Sequence, residues 1–296
     1  MLVLYVAGWG RSGSTLLGNL LGEIPGYLSV GEIRYLFHPG ITCGCGHLAA
    51  DCPFWGEVTA EAEWRVGPID RRAFIEQQEH ALPPKRVPLL LWKGLGADAA
   101  SVLRITQALR TAAAEVSGAD VVVDGSKHPG DLVALRSYPG LRAVHLIRDP
   151  RATGYSWSRR RRNGQQALTL TSATWRWIEW NLLTELALIQ KPALRLQYLD
   201  FIQNPLLHVN RIAEFVGTDS RLPDGIIAAG VAKLKTNHAI GGNPSKFQTG
   251  EVQLTPDTAW KRDLGRLPTM LVTAMTWPLM LRYGCVPSVG PRSTTW

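Results

Sequence analysis

A continuously apolar stretch, Leu2-Val3-Leu4-Tyr5-Val6-Ala7, runs straight into Gly8-Trp9-Gly10-Arg11-Ser12-Gly13-Ser14-Thr15 and then into Leu16, Leu17, Leu20 and Leu21 at helical spacing. No other segment restricts the fold as much. A short run of β-formers that is apolar at every position reads as a strand buried on both faces, the kind found in the middle of a parallel sheet. The residues between strand and helix then form a tight turn. Its glycines let backbone N–H groups face inward, and the helix N-terminus adds partial positive charge, so the turn can hold a tetrahedral anion. The ordinary alternative is a Gly-rich turn that serves packing alone.

Three more stretches read as strands: 121–123 ending at Asp124, 143–147 ending at Arg148, and 194–198. Helical patterns lie between and after them, at about 99–116, 129–137, 151–162, 172–190 and 205–216. This alternation predicts an α/β fold, a mostly parallel central sheet with helices on both faces and ligands at the carboxyl ends of the strands. The 296 residues suit one large α/β domain or two small ones. We expect a single domain over 1–286, with a Cys- and Trp-containing insertion over the active face at 38–97 and a loose tail at 287–296.

Hydrophobic residues make up 45% and charged residues 19%, which excludes a disordered, collagen-like or coiled-coil chain. Lys and Arg number 32 against 24 Asp and Glu, a net charge of +8 that points to an anionic partner: nucleic acid, a membrane surface, or a phosphorylated or sulfated small molecule. The apolar residues 270–281 are interrupted by Pro278 and fall well short of the roughly 20 needed to span a bilayer. No basic leader or cleavage signal is seen at Met1, and four cysteines in such a chain suit a reducing cytoplasm, so a cytoplasmic location is expected.

Gly8 and Gly13 with Thr15 match a P-loop in position and spacing, except that Ser14 stands where the Lys belongs. A nucleoside triphosphatase needs that Lys and a metal on its β- and γ-phosphates, and Arg11 is the only fixed cation of this loop. Residues 11–17 thereby resemble the phosphosulfate loop of the PAPS-dependent sulfotransferases, Arg-Ser-Gly-Ser/Thr-Thr before an apolar helix. The donor in that family, 3′-phosphoadenosine 5′-phosphosulfate (PAPS), has no γ-phosphate and requires no metal. A second stretch, His145-Leu146-Ile147-Arg148-Asp149-Pro150-Arg151 with Ser156 and Trp157 beyond, is similar to the family's 3′-phosphate motif. Asp149 before Pro150 is also a helix start; without the loop, a surface pairing of Arg148 with Asp149 is the simplest reading of this stretch.

The resemblance extends through Asp124-Gly125-Ser126-Lys127, through Leu196 to Gly217, and through Gly242-Asn243-Pro244-Ser245-Lys246-Phe247 with Trp260-Lys261, similar to a late loop over the nucleotide. It implies a P-loop-like sulfotransferase fold. Arg11, Ser12, Gly13, Ser14, Thr15, Arg148, Ser156 and Lys246 are expected to hold the donor, with Arg11 and Lys127 on the transferring group. Sulfuryl transfer to a hydroxyl also needs a base. Glu32, in a Gly-Glu stretch similar to the one that carries the catalytic Glu of the tyrosylprotein sulfotransferases, is expected to fill that role, and His38 and His128 are the fallbacks. The implied acceptor is a hydroxyl of a small molecule or glycan. The rivals are a P-loop kinase with a degenerate loop and a nucleotide- or nucleic-acid-binding module without turnover.

Cys43, Cys45, His47 and Cys52 supply enough ligands for a structural zinc, but Cys-x-Cys is not the usual spacing, so no metal is assigned. A compact structural knot, free thiols and a Cys43 to Cys52 bridge stay open. Arg159 to Arg162 lack interleaved aromatic residues and read as a solvated helix end, so no nucleic-acid partner is expected. Trp175, Trp177 and Trp180 read as core.

Overall fold

The computed structural model describes residues 1–159 and 167–285. Arg160, Arg161 and Arg162 of the arginine run, and the tail after 285, lie outside the described residues. In chain order the elements are β1 (Leu2–Ala7), α1 (Ser14–Leu21), β2 (Tyr27–Gly31), α2 (Pro53–Val66), α3 (Arg71–Ala81), α4 (Val87–Lys93), α5 (Ala97–Ser117) and β3 (Val121–Lys127). They continue with α6 (Pro129–Leu135), β4 (Leu141–Ile147), α7 (Pro150–Ser158), α8 (Leu170–Leu188), β5 (Ala193–Gln197), α9 (Tyr198–Gln203) and α10 (Pro205–Val216). The last are β6 (Ile227–Ala228), β7 (Val231–Leu234), β8 (Gly250–Gln253), α11 (Ala259–Asp263) and α12 (Arg266–Arg282).

The central sheet has five strands in the order β2-β3-β1-β4-β5, and every adjacent pair is parallel. β1 sits in the middle, as its unbroken apolar sequence requires. Its side chains alternate between two cores. Tyr5 and Ala7 pack with Trp55, Val58, Leu109 and Leu132 on one face, whereas Leu4 and Val6 pack with Leu17, Leu20, Phe201 and Ile212 on the other. The sheet is thus covered by helices on both sides, an α/β architecture. A small antiparallel sheet, β6-β7-β8, lies apart from it in sequence and topology.

Beyond the elements after Val216, which the patterns did not reach, two others differ from the sequence expectation. β2, Tyr27–Gly31, is an edge strand of only five residues ending in a glycine, too short to stand out by periodicity. Tyr198, expected to end a strand, starts α9. Trp177 is buried as expected, but Trp175 is 63% exposed and Trp180 lines a cleft. Among the described residues no helix is long and apolar enough to cross a membrane.

Candidate functional site

Four strand ends and one late loop meet above the carboxyl edge of the sheet, in three corners. The first is the turn from β1 to α1. Gly8 has φ 130° there, and a Cβ would come within 2.3 Å of the Leu146 carbonyl oxygen; at Gly13, φ 94°, it would enter the Tyr198 ring at 2.5 Å. Only glycine lets the loop pass between β4 and Tyr198. Arg11 also has positive φ, 69°, a conformation that costs a non-glycine residue about 1 to 3 kcal/mol. The first turn of α1 has neither an acidic residue nor a side-chain cap, so its N–H groups are directed at whatever anion lies before the helix. The buried Ser12 hydroxyl has no protein partner.

Aromatic rings form the wall beside this cradle. The Arg11 guanidinium lies 5.1 Å over the Trp157 ring, and Trp9 stacks on Trp157 at 5.3 Å and meets Trp180 at 4.8 Å. Trp180 in turn donates from Nε1 to the Lys127 carbonyl at 2.8 Å. These rings shape one side of the cleft, Trp180 among them although the sequence placed it in the core.

Arg148 follows β4 directly. One of its terminal nitrogens donates to the Arg11 carbonyl at 3.1 Å and the other to Asp257 Oδ2 at 3.0 Å, and its guanidinium lies 4.6 Å over Tyr198. Its buried Nε has no partner. Asp149 is not its ion partner: that carboxylate caps α7 through the Arg151 N–H at 2.8 Å and pairs with the Arg151 side chain. Asp257, unremarked in the sequence, is therefore the carboxylate on Arg148.

The third corner joins β2 to β3. Glu32, just after β2, forms an ion pair with Lys127, the last residue of β3. Lys127 has φ 64°, and its Nζ also donates to the Gly125 carbonyl at 2.8 Å. The Glu32 N–H donates to the Ile240 carbonyl at 2.7 Å, which fastens the late loop over the carboxylate. Gly241 and Gly242 follow at φ 62° and 76°; a Cβ on Gly242 would lie 3.3 Å from Thr15 Oγ1 and 3.6 Å from Glu32 Oε1. The Asp124-Gly125-Ser126 stretch faces inward. Arg110 holds Asp124 Oδ2 at 2.6 and 2.9 Å, while Ser126 Oγ donates to Asp124 Oδ1 at 2.6 Å and accepts from the Arg34 N–H at 3.2 Å. Arg34 itself pairs with buried Asp131, a structural role.

A cleft of about 730 Å³ is lined by Arg11, Gly13, Ser14, Thr15, Glu32, Lys127, Arg148, Ser156 and Lys246, together with Gly40, Ile41 and Thr42 of the 38–97 segment. Beyond Arg148 it meets a second cavity of about 930 Å³ that shares Arg148, Tyr198 and Asp257 and adds Arg151, Trp260, Lys261 and Arg262. Lys246 reaches the cleft from the late loop, but its Nζ donates to the Thr42 carbonyl at 2.6 Å and to Thr42 Oγ1 at 3.1 Å; burial lowers its pKa. Neither fallback histidine lines this cleft. His128 is buried against Trp180, and that burial, with Arg34 nearby, holds its pKa well below the ordinary value. His38 lines a separate small cavity, and burial lowers its pKa too.

The cysteine cluster is real but its histidine is not the expected one. Cys43, Cys45 and Cys52 converge with His238, from the late loop, all four ligand atoms lying within 4.8 Å of one another. His47 only approaches Cys45, at 3.5 Å.

Chemically, the cleft offers an amide cradle with one hydroxyl, two arginines beyond it, and a carboxylate paired with an ammonium at the opposite corner. Those parts suit an extended dianionic ligand and a proton acceptor next to it. The model of a sulfotransferase family matches residues 4–221 of the chain. Comparison with curated protein sequences finds no match. Among solved structures, the sulfotransferase domain of the curacin biosynthetic pathway is similar with a TM-score of 0.51 and 15% identity, over 93% of this chain and 97% of that one, a likeness of fold alone. The sulfotransferase domain of the Synechococcus PCC 7002 olefin synthase aligns at TM-score 0.45 and 17% identity, over 93% and 94% of the two chains. A sulfotransferase of Mycobacterium avium aligns at 0.43 and 17%, over 72% of this chain and 62% of that one.

Proposed function

The chain belongs to the sulfotransferase family, and on that premise we propose that it transfers the sulfuryl group of PAPS to a hydroxyl of a small molecule or glycan. The observation that carries the donor assignment is the β1 to α1 cradle: a buried Ser12 hydroxyl without a protein partner and an uncapped helix start, with Ser14 at the position of the P-loop lysine. An anion of phosphate size and shape would satisfy Ser12 and the first amides of α1 together. The unpaired Nε of Arg148 supports the same reading for the 3′-phosphate. Arg148 and Ser156 would bind that group, and the Asp257 carboxylate now on Arg148 would give way to it. Lys246 would close the late loop over the nucleotide.

Transfer then follows from the opposite corner. As the acceptor oxygen bonds to sulfur, the bond from sulfur to the 5′-phosphate oxygen breaks, and its electron pair leaves on that phosphate. Glu32 takes the hydroxyl proton. Arg11, Lys127 and the amides of Gly13, Ser14 and Thr15 stabilise the charge that develops on the bridging and sulfuryl oxygens. Lys127 is held for this by the Gly125 carbonyl and by Glu32 itself. No step needs a metal ion. We assign the reaction to the cytoplasm, where the four thiols, none of them in a disulfide in this structure, stay out of disulfides.

Calorimetric titration tests the donor. Adenosine 3′,5′-bisphosphate should bind without metal, in the presence of EDTA, and more tightly than ATP with Mg²⁺. Tighter binding of ATP, or loss of bisphosphate binding with EDTA, would reject the reading.

A further inference from the structure

The segment Thr42 to Leu48 is a tight hairpin, closed by a bridge between those two residues, by Cys43 N–H to the His47 carbonyl at 2.8 Å and by Gly46 N–H to the Cys43 carbonyl at 3.0 Å. It presents Cys43 and Cys45 on one side. Cys52 arrives as the residue before Pro53, at the start of α2. The fourth group comes from far along the chain: His238 stacks on Phe54 at 4.7 Å and 20°, and its carbonyl accepts Trp55 Nε1 at 2.8 Å. Those two aromatic residues fix the ring with Nδ1 aimed at the sulfurs.

The separations identify what the four atoms are arranged around. Cys45 Sγ lies 3.6 Å from Cys52 Sγ, and His238 Nδ1 lies 3.6 Å from Cys43 Sγ and 3.4 Å from Cys52 Sγ. A disulfide would require about 2.05 Å between sulfurs. Hydrogen bonding is a poor account as well, since a neutral imidazole nitrogen has one lone pair for two thiols. With Zn–S at about 2.3 Å and Zn–N at about 2.0 to 2.1 Å, a tetrahedral site has edges of about 3.8 Å between sulfurs and about 3.5 Å from sulfur to nitrogen. The three measured edges agree with these within a few tenths of an ångström.

We propose that Cys43, Cys45, Cys52 and His238 bind one structural Zn²⁺. Four protein ligands leave no open position, so the ion is structural and not a Lewis acid for the reaction. Its work is to join two loops that meet at the cleft. The hairpin side is already tied to the late loop by Gly44 N–H to the Ala239 carbonyl at 2.9 Å and by Lys246 on Thr42. The His238 side leads directly to Ile240, Gly241 and Gly242, which lie on Glu32 and Thr15. The zinc thus clips the roof of the cleft to the hairpin beneath it, 186 residues away along the chain from Cys52 to His238.

The assignment stands apart from the donor and acceptor, and its test reads metal directly. Full-length protein purified under reducing conditions and dialysed against ZnCl₂ and then metal-free buffer should retain one zinc per chain by elemental analysis. X-ray absorption fine structure should give three sulfurs at about 2.3 Å and one nitrogen at about 2.0 to 2.1 Å, and the Co²⁺-exchanged protein should show thiolate-to-cobalt charge transfer. His47→Ala should keep the zinc, His238→Ala should lose it, and His238→Cys, which restores a fourth ligand, should regain it with a four-sulfur shell. Wild-type protein that retains no zinc, or a shell with fewer than three sulfurs, overturns the proposal. So does loss of zinc from His47→Ala with retention in His238→Ala.

Discussion

At the β1 to α1 turn, residues 10–15 and the helix they start form a cradle almost entirely from backbone, whereas at the Glu32 corner each group arrives from a different part of the chain. Glu32 follows β2, Lys127 ends β3, Ile240 to Gly242 descend from the late loop, and Trp180 projects from α8. The contiguous end is shaped by local sterics and by the helix itself. The assembled end exists only once the sheet order and the late loop are in place. We therefore assign ligand binding to the first and proton transfer to the second, and the two are separable by substitution.

The sharpest way to separate them is Glu32→Gln, nearly isosteric and uncharged. Turnover should fall by about 10²- to 10⁴-fold, the usual contribution of a positioned general base, in kcat and in kcat/KM for the acceptor alike. Affinity for adenosine 3′,5′-bisphosphate should stay nearly unchanged by calorimetry. Activity within about threefold of wild type in the folded variant would remove Glu32 as the base.

The sheet that carries both ends should respond to acid independently of either. His145 in β4 is buried, with Nε2 bonded to Asn181 Oδ1 at 2.9 Å, and burial lowers its pKa to about 4, against about 6.5 in the unfolded chain. Between those values the unfolded state binds more protons, so stability rises with pH across that window. The contribution is complete above about pH 6.5 and is lost as pH falls to about 4, at most about 3 kcal/mol. Urea unfolding at pH 7 and pH 5 should show the drop, and His145→Gln should reduce it. An unchanged drop in the variant would mean that His145 is not the group that acid charges.

Within the binding end, Arg148→Ala should weaken adenosine 3′,5′-bisphosphate by roughly 10- to 150-fold, the loss of a charge-assisted contact of about 1.5 to 3 kcal/mol. Adenosine 5′-phosphosulfate, which lacks the 3′-phosphate, should lose far less. Equal losses for both ligands would make Arg148 structural. The smallest expected effect is a gain: on the proposed reading, Asp257→Asn removes the half-exposed carboxylate that would compete for the buried Arg148, and a pair open to solvent on one side is worth about 1 kcal/mol. Binding of the bisphosphate should tighten by up to about fivefold, and weaker binding would show that Asp257 helps to hold the nucleotide.

The contrast between the two ends is also a contrast in what could be read from the chain. The strand at 2–7, the loop from Gly8 to Thr15 and the Asp149-Pro150 helix start were legible because each is a local pattern with a local cause: burial on both faces, positive φ, a side-chain cap. β2 was not, because five residues with a glycine carry too little periodicity, and its place is set by pairing with β3. The place of Trp180 beside Trp9 and Trp157 was hidden for a similar reason, since an aromatic residue at helical spacing looks the same whether it faces the core or a cleft. Asp257 left no trace in its own neighbourhood, and the late loop was read without its contact to Glu32, as both contacts span more than a hundred residues.

What the sequence by itself determined is the parallel α/β plan and the glycine-rich turn from β1 to α1, since alternation of strand and helix patterns and the steric freedom of two glycines act over a few residues. Only the tertiary structure decided that Lys127 pairs with Glu32, that Asp257 and not Asp149 lies on Arg148, and that His238 and not His47 joins the three cysteines. Those choices follow from which strand ends and loops the packed sheet brings within a few ångströms of one another. A charge or a ligand atom selects its partner by distance in space, and spacing along the chain does not encode that distance.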